Sequence, residues 1–240
     1  MTAKELFQAG KLNEAIDALG AELRSNPTDS QRRTFLFELL CFAGLYDRAD
    51  KQLDILAQGG RNAELGSLVY RSALNAEKAR QEFFRKKDYE LRAAAPVATM
   101  AGSINGKPFT SFEDADPRIG RRLEFFLGGA YMWMALSDVA SLTLEAPKRL
   151  RDLLWAPAIL KPAAGFRGIE LGEVLLPVTT VFSFEAEEDS VRLGRETAWI
   201  EDESGKEIPL GQKMFLIDGE EVPLLELRSL ELNSVNAAAS

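Results

Sequence analysis

The chain contains no histidine among its 240 residues. That removes the commonest general base, the commonest metal ligand and every Ser–His or Cys–His nucleophile pair. A single cysteine, Cys41, excludes an internal disulfide. It stands among Leu39, Leu40 and Phe42 and reads as a small buried hydrophobe rather than a nucleophile. A basic surplus is also missing: 29 Lys and Arg face 37 Asp and Glu, for a net charge of −8. Phosphate neutralisation supplies most nucleic-acid affinity, so this balance argues against a nucleic-acid partner. The local run Arg85-Lys86-Lys87 is flanked by Glu82, Asp88 and Glu90 and reads as a solvated helix face. No stretch has the ~20 apolar residues needed to cross a bilayer. The beginning, Met1-Thr2-Ala3-Lys4-Glu5, has no apolar signal core. The expectation is a cytoplasmic protein with no membrane insertion, no cofactor, no metal and no catalytic residues.

What is present begins with a repeat. Residues 9–15 read A-G-K-L-N-E-A and residues 43–49 read A-G-L-Y-D-R-A. Gly10 matches Gly44 and Ala15 matches Ala49, each offset by 34 residues, the period of the tetratricopeptide repeat. Leu6, Leu12 and Leu19 find Leu40, Tyr46 and Leu53 in the same register. The glycines sit where one helix ends and the chain reverses, a position suited to positive φ. The alanines sit where paired helices approach closely. Leu12, Ile16, Leu19 and Leu23 form an apolar stripe at helical spacing, stopped by Asn26-Pro27. Thr2 and Glu5 fit a capping box. A third unit is degenerate, with Lys78 and Phe83 where glycine and alanine would stand, so 62–92 reads as one or two closing helices.

After Arg92 the texture changes, and a boundary near 95 is expected, giving a tetratricopeptide-like all-α domain (1–94) and a smaller mixed α+β domain with antiparallel strands (95–240). Asn105-Gly106 and Asp218-Gly219 are hairpin dipeptides, the second between Lys213–Ile217 and Val222–Leu227. Glu173–Phe184 and Ser190–Glu201 read as strands. Pro117 behind Asp116 reads as a helix start running to about Leu127, and Pro147–Trp155 as a short amphipathic helix.

Four ordered segments of this half, F-E-D-A-D-P-R-I-G-R-R-L-E-F-F-L-G-G-A-Y-M-W (112–133), A-P-K-R-L-R-D-L-L-W-A-P-A (146–158), R-L-G-R-E-T-A-W (192–199) and L-L-E-L-R-S-L (224–230), together resemble the ImpE/TagJ family of type VI secretion accessory proteins. The resemblance implies a non-enzymatic adaptor that associates with the contractile sheath through an N-terminal segment of its small subunit and is linked to the AAA+ ATPase that disassembles it. In tetratricopeptide repeats the first helix of each pair lines a groove, and the corresponding offsets fall on Gln31, Thr34, Glu38 and Phe42, and in the third unit on Ser72 and Asn75. These six are the candidate partner-binding residues. The other reading of that face is that the C-terminal domain packs into it.

Two clusters invite chemistry. Glu113, Asp114 and Asp116 suggest a carboxylate-dependent, metal-assisted enzyme; the structural reading has Asp116 capping a helix and Asp114 paired with Arg118, Arg121 or Arg122. Arg192-Leu193-Gly194-Arg195 suggests either a phosphate site or arginines paired with the carboxylates of 185–189.

Overall fold

The computed structural model describes residues 1–90, 99–168, 171–203 and 205–233. The boundary expected near 95 lies outside the described residues. The chain starts with five helices: α1 (Ala3–Gln8), α2 (Leu12–Ser25), α3 (Ser30–Phe42), α4 (Tyr46–Ala57) and α5 (Arg61–Arg85). Thr2 and Glu5 form the expected capping box at α1. Gly10 and Gly44 make the α1–α2 and α3–α4 turns at φ +75° and +68°, which costs a residue with a Cβ about 1–2 kcal/mol. Leu12, Ile16, Leu19 and Leu23 are all buried, and Ala15 and Ala49 have no exposed surface at the close contacts of their hairpins. The third unit opens on one 25-residue helix, α5, and the last residues of the span expected for it, 91 and 92, lie outside the described residues.

Beyond residue 98 strands are the main regular element, and this half carries the larger share of the described residues. Its largest sheet has eight antiparallel strands in the order β2-β1-β13-β6-β7-β8-β4-β5, formed by β1 (Gly102–Ile104), β2 (Lys107–Phe109), β4 (Arg122–Leu127), β5 (Ala130–Ala135), β6 (Val139–Leu144), β7 (Trp155–Pro162), β8 (Glu173–Pro177) and β13 (Ser229–Leu232). A three-stranded sheet joins β3 (Phe112–Asp114), β11 (Met214–Ile217) and β12 (Glu220–Pro223), and β9 (Thr197–Glu201) pairs with β10 (Glu207–Gly211). Asn105-Gly106 and Asp218-Gly219 turn hairpins as expected, all four residues at positive φ.

Three expectations about this half need correction. Residues 117–127 are not a helix. Asp116 opens a tight turn, its carbonyl accepting from the Ile119 and Gly120 amides at 2.9 Å, and Arg122–Leu127 then pairs along its full length with β5. The period of two explains it: Leu123 and Phe125 enter the core of the β half, while Glu124 and Phe126 face the helices. Gly128-Gly129, both at positive φ, is the two-residue hairpin signal that a helical reading passes over. The segment 147–155 makes only the one-turn 3-10 helix Leu150–Leu153, and Trp155 already belongs to β7. Of the long strands read at 173–184 and 190–201, only β8 and β9 form. Between them lie a 3-10 turn (Ser183–Glu185) after Phe182 at φ +65° and a helical turn at Asp189–Arg192.

One core lies within the β half. A second is shared: the buried leucines of α2, α3 and α4 pack with Phe126, Leu154, Trp155 and Leu193.

Candidate functional site

The groove side of the repeats faces the C-terminal half. The Phe37 ring meets Tyr70 at 5.0 Å and Trp155 at 6.4 Å between centroids, and the 3-10 turn at 150–153 packs alongside. This decides where the six candidate partner residues stand. Glu38 is 7% exposed; Tyr70 donates its hydroxyl to Glu38 at 3.5 Å, with the Arg151 guanidinium lying over the Tyr70 ring. Burial pushes the Glu38 carboxyl up to about 7. Phe42 is 3% exposed and borders a void of about 10 Å³ shared with Thr179, Ser183 and Phe184. Gln31, Ser72 and Asn75 are exposed and Thr34 is half-buried, its hydroxyl turned onto the Ser30 carbonyl at 2.9 Å. Gly129, in the β4–β5 turn, lies against Ser72.

A second contact runs along both repeat turns. Lys11 and Leu45 precede α2 and α4 without capping side chains. Asp189 supplies the cap for α2, accepting from the Leu12 amide at 2.7 Å across 177 residues of sequence. Arg192 holds the same carboxylate at 2.7 Å. Arg195 donates to the Phe7 and Gln8 carbonyls that end α1, at 2.6 and 3.1 Å, and stacks over the Phe7 ring. Phe184 sits on Gly44 so closely that a Cβ there would stand 2.4 Å from the ring. The R-L-G-R segment is therefore a strap across the helix turns: Arg192 pairs with an upstream carboxylate, as one reading expected, and Arg195 binds backbone. The missing signal was negative. A helix preceded by lysine or leucine, with no Ser, Thr, Asp or Asn, has orphan amides that some distant residue satisfies.

Between the two halves lies a buried ionic network. Arg80 and Glu124 are wholly buried and join in a two-bond fork, both 2.8 Å. Glu124 also accepts from Lys213 Nζ at 2.7 Å and the Tyr131 hydroxyl at 2.9 Å. Arg80 reaches Glu77 at 3.3 Å, and Glu77 accepts from Gln81 at 2.6 Å and Trp155 Nε1 at 3.1 Å. Burial alone would raise Glu124, but Arg80 and Lys213 overcome it and hold the carboxyl at about 2. These charges face one another across the junction, and removing one partner of such a buried pair costs more than the pair contributes.

Asp114 and Asp116 belong to the edge of this network. Asp114 pairs with buried Lys213, not with an arginine as expected, and accepts from the Asp116 amide at 2.9 Å. Burial pushes it up to about 7 despite the lysine. Asp116 forks onto Arg118 and accepts from the Arg118 amide at 3.0 Å, capping a turn where a helix was expected. Each carboxylate faces a cation, and among the described residues no cluster of His, Cys, Asp and Glu is arranged to hold a metal. Cys41 is 4% exposed, and burial raises its thiol well above the ordinary range, so it is a packing residue. Among the described residues no helix is long and apolar enough to cross a membrane.

Two of the four quoted segments, 146–158 and 224–230, converge on one cleft of about 470 Å³ lined by Leu144, Pro147, Arg149, Pro157, Leu225 and Arg228 among others.

The family model for ImpE protein matches residues 106–231. The chain is 32% identical over 269 aligned residues to the type VI secretion system accessory component TagJ of Pseudomonas aeruginosa, covering 99% of this chain and 93% of that one. Its fold is similar to an X-ray structure of a Vibrio parahaemolyticus protein, with a TM-score of 0.85, 24% identity and 99% of each chain covered. The family model spans the strap and most of the β half, the TagJ alignment extends over the helical repeats as well, and the chain belongs to the ImpE family.

Proposed function

We propose that this chain is a non-enzymatic, cytoplasmic adaptor of a type VI secretion system, binding the N-terminal segment of the small contractile-sheath subunit and linking the sheath to its AAA+ disassembly ATPase. The observation that carries this reading is its similarity, over nearly the whole of both chains, to a protein named as an accessory component of that system. The site geometry fits: helical repeats locked onto a β half by a strap and a paired ionic network make a rigid platform, and rigid surfaces lose little entropy on binding. The rival reading, a metal-assisted enzyme at Asp114 and Asp116, is disfavoured by Lys213 and Arg118, which occupy those carboxylates.

Within this reading the partner meets the open members of the candidate set, Gln31, Ser72 and Asn75 with Thr34 beside them; Glu38 and Phe42 serve the internal junction. The test is fluorescence anisotropy with a labelled peptide from the N-terminal segment of a type VI small sheath subunit. Saturable binding below ~100 μM, that is tighter than ~5 kcal/mol, is expected. Its absence, together with a thermal shift on Mg²⁺ titration, would move the case to the enzyme.

A further inference from the structure

The cleft where segments 146–158 and 224–230 meet is built on a row of paired strands. Thr143 on β6 stands opposite Ser229 on β13 and opposite Ile159 on β7, and Ile159 stands opposite Glu173 on β8. Residues directly opposite share a face, so the row crosses neighbouring strands on one side of the sheet. Pro157, two residues before Ile159, lies on that side. So does Trp155, which packs against the helices. The row itself is open: Ile159 is 45% exposed, and Thr143 and Glu173 are exposed with it. Residues of 145–152 and of 224–228 wall the cleft.

Charge on these walls is unevenly met. Lys148 pairs with Glu145, and Arg151 with Asp152. Arg149 and Arg228, both exposed, pair with no carboxylate among the described residues. Each stands on fixed backbone. Asp152 accepts from the Lys148 and Arg149 amides, both at 2.9 Å. Asn105 accepts from the Arg228 amide at 2.7 Å, and the Arg228 guanidinium donates to the Leu225 and Leu227 carbonyls at 2.8 and 2.6 Å. Glu173 has no cation partner among the described residues either, and it marks the opposite end. The order β13-β6-β7-β8 puts its strand three spacings, about 14 Å, from the strand that Arg228 precedes. That distance is the span of about four extended residues.

We propose that this cleft binds a short extended segment of a protein partner. An acidic side chain of the segment meets Arg149 and Arg228, an aliphatic side chain lies on Ile159 and Pro157, and a lysine or arginine reaches Glu173. The volume, about 470 Å³, is that of an ordinary ligand pocket. A small aliphatic acid would engage the arginines and leave the Glu173 end empty, whereas a peptide complements both ends. Fixed backbone beneath both arginines lowers the ordering cost of binding, and opposite charges at the two ends set the direction of the segment. The site lies wholly in the β half and does not depend on the adaptor reading.

The probe is a phage-displayed library of random linear peptides, selected on the full chain and counter-selected on an unrelated acidic protein. The consensus peptide, labelled, is then titrated against wild type, Arg149→Glu, Ile159→Asp, Glu173→Lys and a control, Lys51→Glu on α4, with a circular-dichroism melt for each. The consensus is expected to hold Asp or Glu about four residues from Lys or Arg, with Leu, Ile or Val between. Arg149→Glu and Ile159→Asp are expected to bind at least ~10-fold more weakly, and the control like wild type. Glu173→Lys is expected to prefer the peptide whose basic residue is changed to glutamate. All three substituted side chains are exposed, so melts are expected to be unchanged. No consensus specific to this chain, a consensus without the acid, or equal affinity for wild type, Arg149→Glu and Ile159→Asp overturns the proposal. So does octanoate that raises the melting temperature of wild type but not of Arg149→Glu while no peptide is selected, with a small acid as the occupant. Each of these outcomes leaves the adaptor reading to its own test, the sheath-subunit titration.

Discussion

The helical and β halves are assembled by opposite means. In the helices most partners are near in sequence: α3 packs on α4 and α4 on α5 through turns of a few residues. In the β half the decisive pairings are distant. β1 pairs with β13, Gly102 opposite Leu232, and β3 pairs with β11, Phe112 opposite Ile217. Closing such loops costs entropy before any contact offsets it. Yet the locally built half is not self-sufficient. Its α2 cap, its α1 carbonyl partners and the ring on its second turn come from residues 184–195, and its buried Arg80 is neutralised by β4. Each half completes the other, which predicts one cooperative unit rather than two.

The largest expected break in that comparison is Arg80→Ala. It leaves Glu124 buried with Lys213 as its cation and the Tyr131 hydroxyl as its other donor, and truncating one partner of a buried pair costs ~3–5 kcal/mol. Denaturant melts followed by helical and tryptophan signals should shift together; two separated transitions in the wild type would instead show that the halves unfold independently.

Next is Gly44→Ala set against Gly10→Ala. Both force a left-handed residue, at ~1–2 kcal/mol. At Gly44 the new methyl also meets the Phe184 ring at 2.4 Å, whereas at Gly10 the nearest atom is the flexible Arg195 tip at 3.5 Å. Overpacking adds ~1–3 kcal/mol at Gly44 only. Equal costs at the two sites would mean that Phe184 does not seat on the second turn. Ala49→Leu, at the close contact of the second hairpin, should also cost ~1–3 kcal/mol.

Asp189→Ala is a smaller probe. Removing a cap costs ~0.5–2 kcal/mol, here delivered to α2 by a residue in the other half. Hydrogen exchange should rise at the Leu12 amide first. If protection there is unchanged, the tertiary cap is not formed in solution.

A perturbation without mutation is pH. Asp114 and Glu38 both have carboxyls raised to about 7 by burial, from ordinary values of 3.8 and 4.5. A raised folded value means that the folded protein holds protons the unfolded chain has released. Stability from these two groups is therefore full below pH ~4 and declines as pH climbs toward 7. Glu124, held at about 2, acts oppositely, contributing above pH ~4.5 and losing its contribution only as pH falls toward 2. Melts from pH 5 to 8 should show a decline that is shallower in Asp114→Asn and Glu38→Gln; an unchanged slope in both would rule out these groups as its source.

Much of the helical half was legible in the chain because its rules are local. The Thr2–Glu5 capping box, the turn glycines 34 residues apart and the alanines at close contacts each depend on neighbours within a few residues. The hairpins at Asn105-Gly106 and Asp218-Gly219 were legible for the same reason. Arg122–Leu127 was not: a proline after an aspartate signals helix starts and tight turns alike, and only the pairing with β5 and β8 decides. Nor was the strap, since Asp189 and Arg195 have no local feature that distinguishes them from solvated charges.

By itself the sequence determined that there would be helix pairs of 34-residue period, hairpins at specified dipeptides and no histidine-based chemistry, because these follow from backbone preference, spacing and side-chain inventory. Tertiary structure alone decided that the repeat groove would face the β half, that Asp114 would meet Lys213, and that Arg228 and Glu173 would stand at opposite ends of one cleft. Those outcomes depend on which surfaces, distant along the chain, exclude water from each other, and that is settled only when the whole chain is packed.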